Sequence, residues 1–174
     1  MGNTTIHMNL SPESIDAAIQ AIRAYTQRIQ ERTETLHRRV AERMAELAQA
    51  GFAAAGIDDH LSGGMRTPSV TVEAIHDNGF TLVVANGEDA VFVEFGAGVY
   101  HNVPVGSSVH PDGVRLDFAI GTYGKGRGAR NVWGYMDEGG QIQLTRGTPA
   151  QMPMYNALQT VCSEVYQIAR EVFA

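Results

Sequence analysis

Six histidines, one cysteine and nineteen carboxylates set the reach of any chemistry in this chain of 174 residues. A zinc hydrolase needs two or three ligands brought together by their spacing. The histidines at 7, 37, 60, 76, 101 and 110 are scattered, with no His-Glu-x-x-His among them. His101, His110 and Asp112 come nearest to a cluster, but beside Pro104 and Pro111 in a glycine-rich stretch they read as a loop surface carrying two titratable rings. Cys162 stands alone, so neither an intrachain disulfide nor a cysteine zinc site can form. In an amphipathic helix with no neighbouring His, it reads as a buried thiol and a poor nucleophile. Acyl transfer lacks its Gly-x-Ser-x-Gly elbow. Glu94 is the remaining candidate base. If the run Val91 to Phe95 is a strand, Glu94 faces away from Val91, Val93 and Phe95, where a solvated or ion-paired carboxylate belongs. No catalytic, cofactor-binding or metal-ligating residue is assigned, and the chain is expected not to be an enzyme.

A second chemistry is phosphate binding. Tyr123, Lys125, Arg127 and Arg130 lie in Thr122-Tyr-Gly-Lys-Gly-Arg-Gly-Ala-Arg130, which holds three of the six basic residues between positions 51 and 147. Glycine there removes side-chain obstruction and lets amide groups converge on an anion, so a nucleic-acid contact is one reading and an adaptable surface loop the other. No P-loop and no Gly-x-Gly-x-x-Gly after a strand is present. The overall charge of −6 argues against a protein whose main task is gripping phosphates. That acidity sits in the middle of the chain. Residues 1–50 carry six basic against six acidic groups, residues 51–147 six against eleven, and residues 148–174 one against two. Twelve of the thirteen basic residues are Arg, a choice that favours planar, bidentate ion pairs, including those at subunit contacts.

Glycine partitions the elements that must position these groups. Of 19 glycines, 18 fall between Gly51 and Gly147. The glycine-poor start reads as a helix. Ser11-Pro12-Glu13 supplies a capping oxygen, a proline at the first helical position and an acid at the positive dipole end. Ile15, Ile22, Ile29 and Leu36 repeat every seven residues with Ala18, Ile19, Tyr25 and Thr26 between them, and Val40, Met44 and Leu47 continue the seam. From Pro12 to Ala50 such a helix spans about 58 Å, against roughly 40 Å for a compact domain of this length. Either it bends near Thr33 or Thr35 and folds back on the sheet, or it overhangs and packs on another subunit through Ile15, Ile22, Ile29 and Leu36. Its polar face is charge-balanced, which disfavours a membrane surface, and no apolar run is long enough to span one. The first 30 residues lack the pattern of a signal peptide, so a cytoplasmic product is expected.

The middle reads as β-structure. Val70 to Ile75, Phe80 to Ala85 and Ala90 to Phe95 alternate, separated by Asp77-Asn78-Gly79 and Asn86-Gly87-Glu88-Asp89, which predicts a three-stranded meander. Val114 to Ile120 is expected as a fourth strand within a long loop over 96–130. Val132 to Met136 and Gln141 to Thr145 form a terminal hairpin, with Trp133 and Tyr135 facing Ile142 and Leu144. Met154, Leu158, Val161, Val165, Ile168 and Val172 predict a closing helix over 153–173. The expected fold is α+β. A long N-terminal amphipathic helix occupies 1–56, and 57–174 forms a core of antiparallel sheet, meander plus hairpin, with the long Gly-rich loop and a C-terminal helix packed on the sheet.

The order of motifs resembles a known family. Val93-Glu94-Phe95-Gly96, the basic glycine-rich loop, Trp133-Gly134-Tyr135 and Ala150-Gln151-Met152-Pro153-Met154-Tyr155 are similar, over about residues 70–174, to the minor tail-component family of long-tailed double-stranded-DNA phages and prophages. Met154 stands where the family commonly has Phe. The resemblance implies a structural virion protein of the head–tail neck or tail-completion type, made in the host cytoplasm. It implies a homo-oligomeric ring, expected with six or twelve copies, that meets the head connector and the tail tube while DNA passes through. It implies no cofactor and no reaction.

Overall fold

The computed structural model describes residues 5–58, 64–77, 79–98, 104, 106–119, 133–136, 139–145 and 147–174. Helix α1 runs uninterrupted over Pro12–Ala54, 43 residues, or about 65 Å. Its start is the one the sequence dictates: the Ser11 side chain accepts from the Ser14 N–H at 3.3 Å, and Pro12 opens the first turn. No break occurs at Thr33 or Thr35. Their hydroxyls donate to the carbonyls of Ile29 and Glu31, each at 2.8 Å, and so stay within the helix. The helix also continues past Ala50 through Gly51. A Cβ at position 51 would lie 3.0 Å from Pro153 Cβ, so this glycine admits a second helix and does not end the first.

Short β1 (Ile57–Asp58) and β2 (Met65–Arg66) pair, and β3 (Thr71–Asp77) and β4 (Phe80–Asn86) form the expected antiparallel hairpin. Gly79 turns it with φ +83°, a conformation that favours glycine. Val72, Ala74, Val83 and Ala85 are half-buried toward α1, and Phe80 and Leu82 lie exposed with Ile75 on the opposite face. Gln49 fixes α1 to β3: its amide donates to the Val70 carbonyl and its carbonyl accepts from the Val72 N–H at 2.8 Å.

The expected third strand is helix α2 (Ala90–Phe95). A short apolar run has no decisive period, and burial decides between the alternatives. As a helix it turns Ala90, Val93 and Glu94 inward and leaves Val91 exposed. The preceding turn favours it: the Ala90 N–H donates to the Gly87 carbonyl and the Val93 N–H to the Asp89 carbonyl. The fourth strand expected at Val114 to Ile120 is also absent from the described part, residues 111–119. There the chain makes helical turns closed by a Phe118 N–H bond to the Gly113 carbonyl, with Asp117 at φ +63°.

β5 (Ala97–Gly98) pairs with β8 (Gly147–Thr148), and β6 (Trp133–Met136) with β7 (Ile142–Thr145). The β6–β7 register sets Trp133 opposite Thr145 and Tyr135 opposite Gln143, so Ile142 and Leu144 stand opposite Met136 and Gly134 instead of the two aromatics. Helix α3 (Pro153–Phe173) closes the chain. The architecture is α+β, with α1 lying against both α3 and the β3–β4 hairpin. Phe52, Ala55, Ile57, Ala90 and Val93 form the core, flanked by Val70, Val72, Ala85 and Met154.

Candidate functional site

Helix α3 begins with a deficit. Its cap residue, Met152, sits in the left-handed region at φ +56° and offers no side-chain acceptor, and the proline at the first helical position leaves the N–H groups of Met154 and Tyr155 facing out. Glu94 supplies what the local sequence lacks. Its Oε2 accepts from the Met154 N–H at 2.8 Å and its Oε1 from the Tyr155 N–H at 2.9 Å. The Glu94 side chain is only 9 % exposed. It therefore meets the positive end of α3 where water does not screen it. The adjacent Gln151 locks the approach: its N–H donates to the Val93 carbonyl at 2.9 Å, and its side-chain amide exchanges two bonds with the backbone of Gly56.

His110 completes this junction. Its Nδ1 accepts from the Asp112 N–H at 3.0 Å, which puts the ring proton of the neutral tautomer on Nε2, and Nε2 lies 3.1 Å from Glu94 Oε1. The ring is 5 % exposed and packs against Phe95 at 4.5 Å and edge-on to Tyr155 at 5.3 Å; Phe118 stacks on Phe95 at 4.2 Å. Glu94 and His110 resemble two members of a hydrolytic triad, but every ring nitrogen and carboxylate oxygen is engaged in holding the fold. The arrangement is a helix cap reached from 60 residues away.

Three sequence readings are corrected here. Glu94 is not on a solvated strand face, because the helical turn of α2 carries it inward. His110 is not on a loop surface, because the turn at 110–113 folds its ring under Tyr155. Among the described residues no three His, Cys, Asp or Glu side chains are grouped to hold an ion. His101 lies outside the described residues. Cys162, expected to be buried, is exposed on α3, because Ala157 and Val161 take the inner face of that helix.

A second ionic anchor holds β2 to the start of α2. Arg66 grips Asp89 with both guanidinium ends at 2.7 and 2.6 Å, and the Ser69 N–H adds a bond at 2.9 Å. The Arg66 bond keeps the Asp89 carboxyl below the ordinary aspartate range; burial pulls the other way, and the Ser69 N–H adds to the lowering.

The expected contact residues divide. Ile15 and Ile22 are exposed on the N-terminal half of α1, while Ile29 and Leu36 are half-buried. Tyr123, Lys125, Arg127 and Arg130 lie outside the described residues. The C-terminal half of α1 is covered by α3 as well as by the β3–β4 hairpin. Arg43 chelates Glu164 at 2.9 and 3.2 Å, Arg39 meets Glu171 at 2.6 Å, and Arg32 donates to the carbonyl of Phe173 at 3.0 Å. These bonds hold Glu164 and Glu171 below the usual carboxylate range and raise Arg43. The antiparallel contact thus runs from Gly51 beside Pro153 to Arg32 beside Phe173. Residues 12–31 of α1 project about 30 Å beyond the end of α3. Ile15, Ile19, Ile22 and Tyr25 are exposed on that projection. No helix is long and apolar enough among the described residues to cross a membrane. No family model, no curated protein and no solved structure matches the chain.

Proposed function

We propose that this protein is a structural component of a phage or prophage virion, of the neck or tail-completion type. It assembles as a homo-oligomeric ring of six or twelve copies at the head–tail junction, meets the head connector on one side and the tail tube on the other, and lets DNA pass through. It is made in the host cytoplasm and works in the particle. The observation that carries this reading is the projecting half of α1. A helix that extends about 30 Å past its intrachain partner with four large apolar side chains exposed is an element whose partner lies on another chain.

The buried junction adds a physical reason for the motif pattern. Val-Glu-Phe-Gly and the Ala-x-x-Pro segment act as one device, since the first supplies the carboxylate and the second supplies the helix start that it caps. Their joint presence is thus one structural feature, and it accounts for the wide separation of the two segments in the chain.

Mass photometry and negative-stain imaging of the full chain, alone and mixed with connector and tail-tube proteins from its own gene neighbourhood, test the proposal. Closed rings, or ring formation on adding either partner, are expected. A chain that stays monomeric at high concentration and is inert toward both partners would overturn it.

A further inference from the structure

We draw no further inference here: the strongest candidate, the outer edge of the β3–β4 hairpin, where β4 pairs only with β3 among the described residues and Phe80 and Leu82 stand exposed, carries nothing, because nothing in the structure shows what covers it.

Discussion

The capped start of α3 and the projecting start of α1 are both helix beginnings, and they are completed in opposite ways. At α3 the local sequence lacks a capping side chain, and the fold brings Glu94 from α2 to provide one, with His110 closing the pocket from outside. At α1 the local sequence supplies its own cap, Ser11, and among the described residues Ile15, Ile19, Ile22 and Tyr25 on the stretch that follows stay exposed. A deficit of polar partners has been repaired inside the chain; a surplus of apolar surface stays exposed. The difference follows from cost. An unpaired buried N–H or carboxylate costs about 1–3 kcal/mol or more and cannot await a partner, whereas an exposed isoleucine costs a free chain little.

The comparison breaks first at Glu94. Glu94→Ala leaves two helix N–H groups and the His110 Nε2–H unsatisfied together, and is expected to cost about 3–5 kcal/mol in urea denaturation. Glu94→Gln preserves shape and one acceptor oxygen, so its loss is expected at about 1–3 kcal/mol. A change below about 0.5 kcal/mol in Glu94→Ala would show that the junction is incidental to the fold.

The Arg66–Asp89 anchor ranks next. Asp89→Asn is expected to lower stability at neutral pH by about 1–2 kcal/mol, a modest figure because Arg66 is still open to water. The pH dependence has a definite sign. Because the folded carboxyl is held below its unfolded value, its contribution is fully present above the ordinary aspartate pKa of about 3.9 and disappears as pH falls through the folded value. Wild type should therefore lose stability more steeply than Asp89→Asn on acidification, and the two should converge in strong acid. Parallel curves would show that the pair contributes nothing specific.

Gly51→Ala is smaller again. Alanine gains about 0.8–1 kcal/mol of helix propensity but sets a methyl 3.0 Å from Pro153 Cβ, where a rigid ring and the capped helix start cannot easily yield. A net loss of about 1 kcal/mol in thermal or chemical unfolding is expected. A gain would mean that α3 can slide on α1, and the junction would then be less tightly fixed than its hydrogen bonds suggest.

How much of this was legible depended on the range of the forces involved. Ser11-Pro12-Glu13 acts over one turn, and the start of α1 follows from it. Asp77-Asn78-Gly79 turns a hairpin by local geometry, and the 153–173 periodicity gives α3 to the residue. Ala90 to Phe95 was ambiguous because six apolar-rich residues fit two periods, and the choice lies with Glu94, whose partners are 60 residues away. His110 was invisible for the same reason: its burial depends on Glu94, Phe95 and Tyr155 arriving together. One signal did point to the site. A helix opening at Met152-Pro153 without Ser, Thr, Asp or Asn at the cap must find an acceptor elsewhere, and a lone glutamate at helical spacing in an apolar run is the natural source. The exposure of Cys162 was legible too, since it lies about 100° round the helix from the buried Val161.

The smallest expected effect on folding accompanies the sharpest contrast in assembly. Ile22 is 54 % exposed in the single chain and has little packing to lose there. Ile22→Glu is expected to shift folding stability by no more than about 0.5 kcal/mol, the usual range for an open surface position. In an assembled ring the same carboxylate would be buried against an apolar seam without a partner, at a cost of several kcal/mol per contact. The variant should unfold like wild type in denaturant and run as a monomer where wild type forms rings, whereas Glu94→Ala should lose the fold before the ring. If Ile22→Glu proved strongly destabilising in the monomer, the projecting helix would be an internal element of the fold, and the division between a completed region and one awaiting completion would fail.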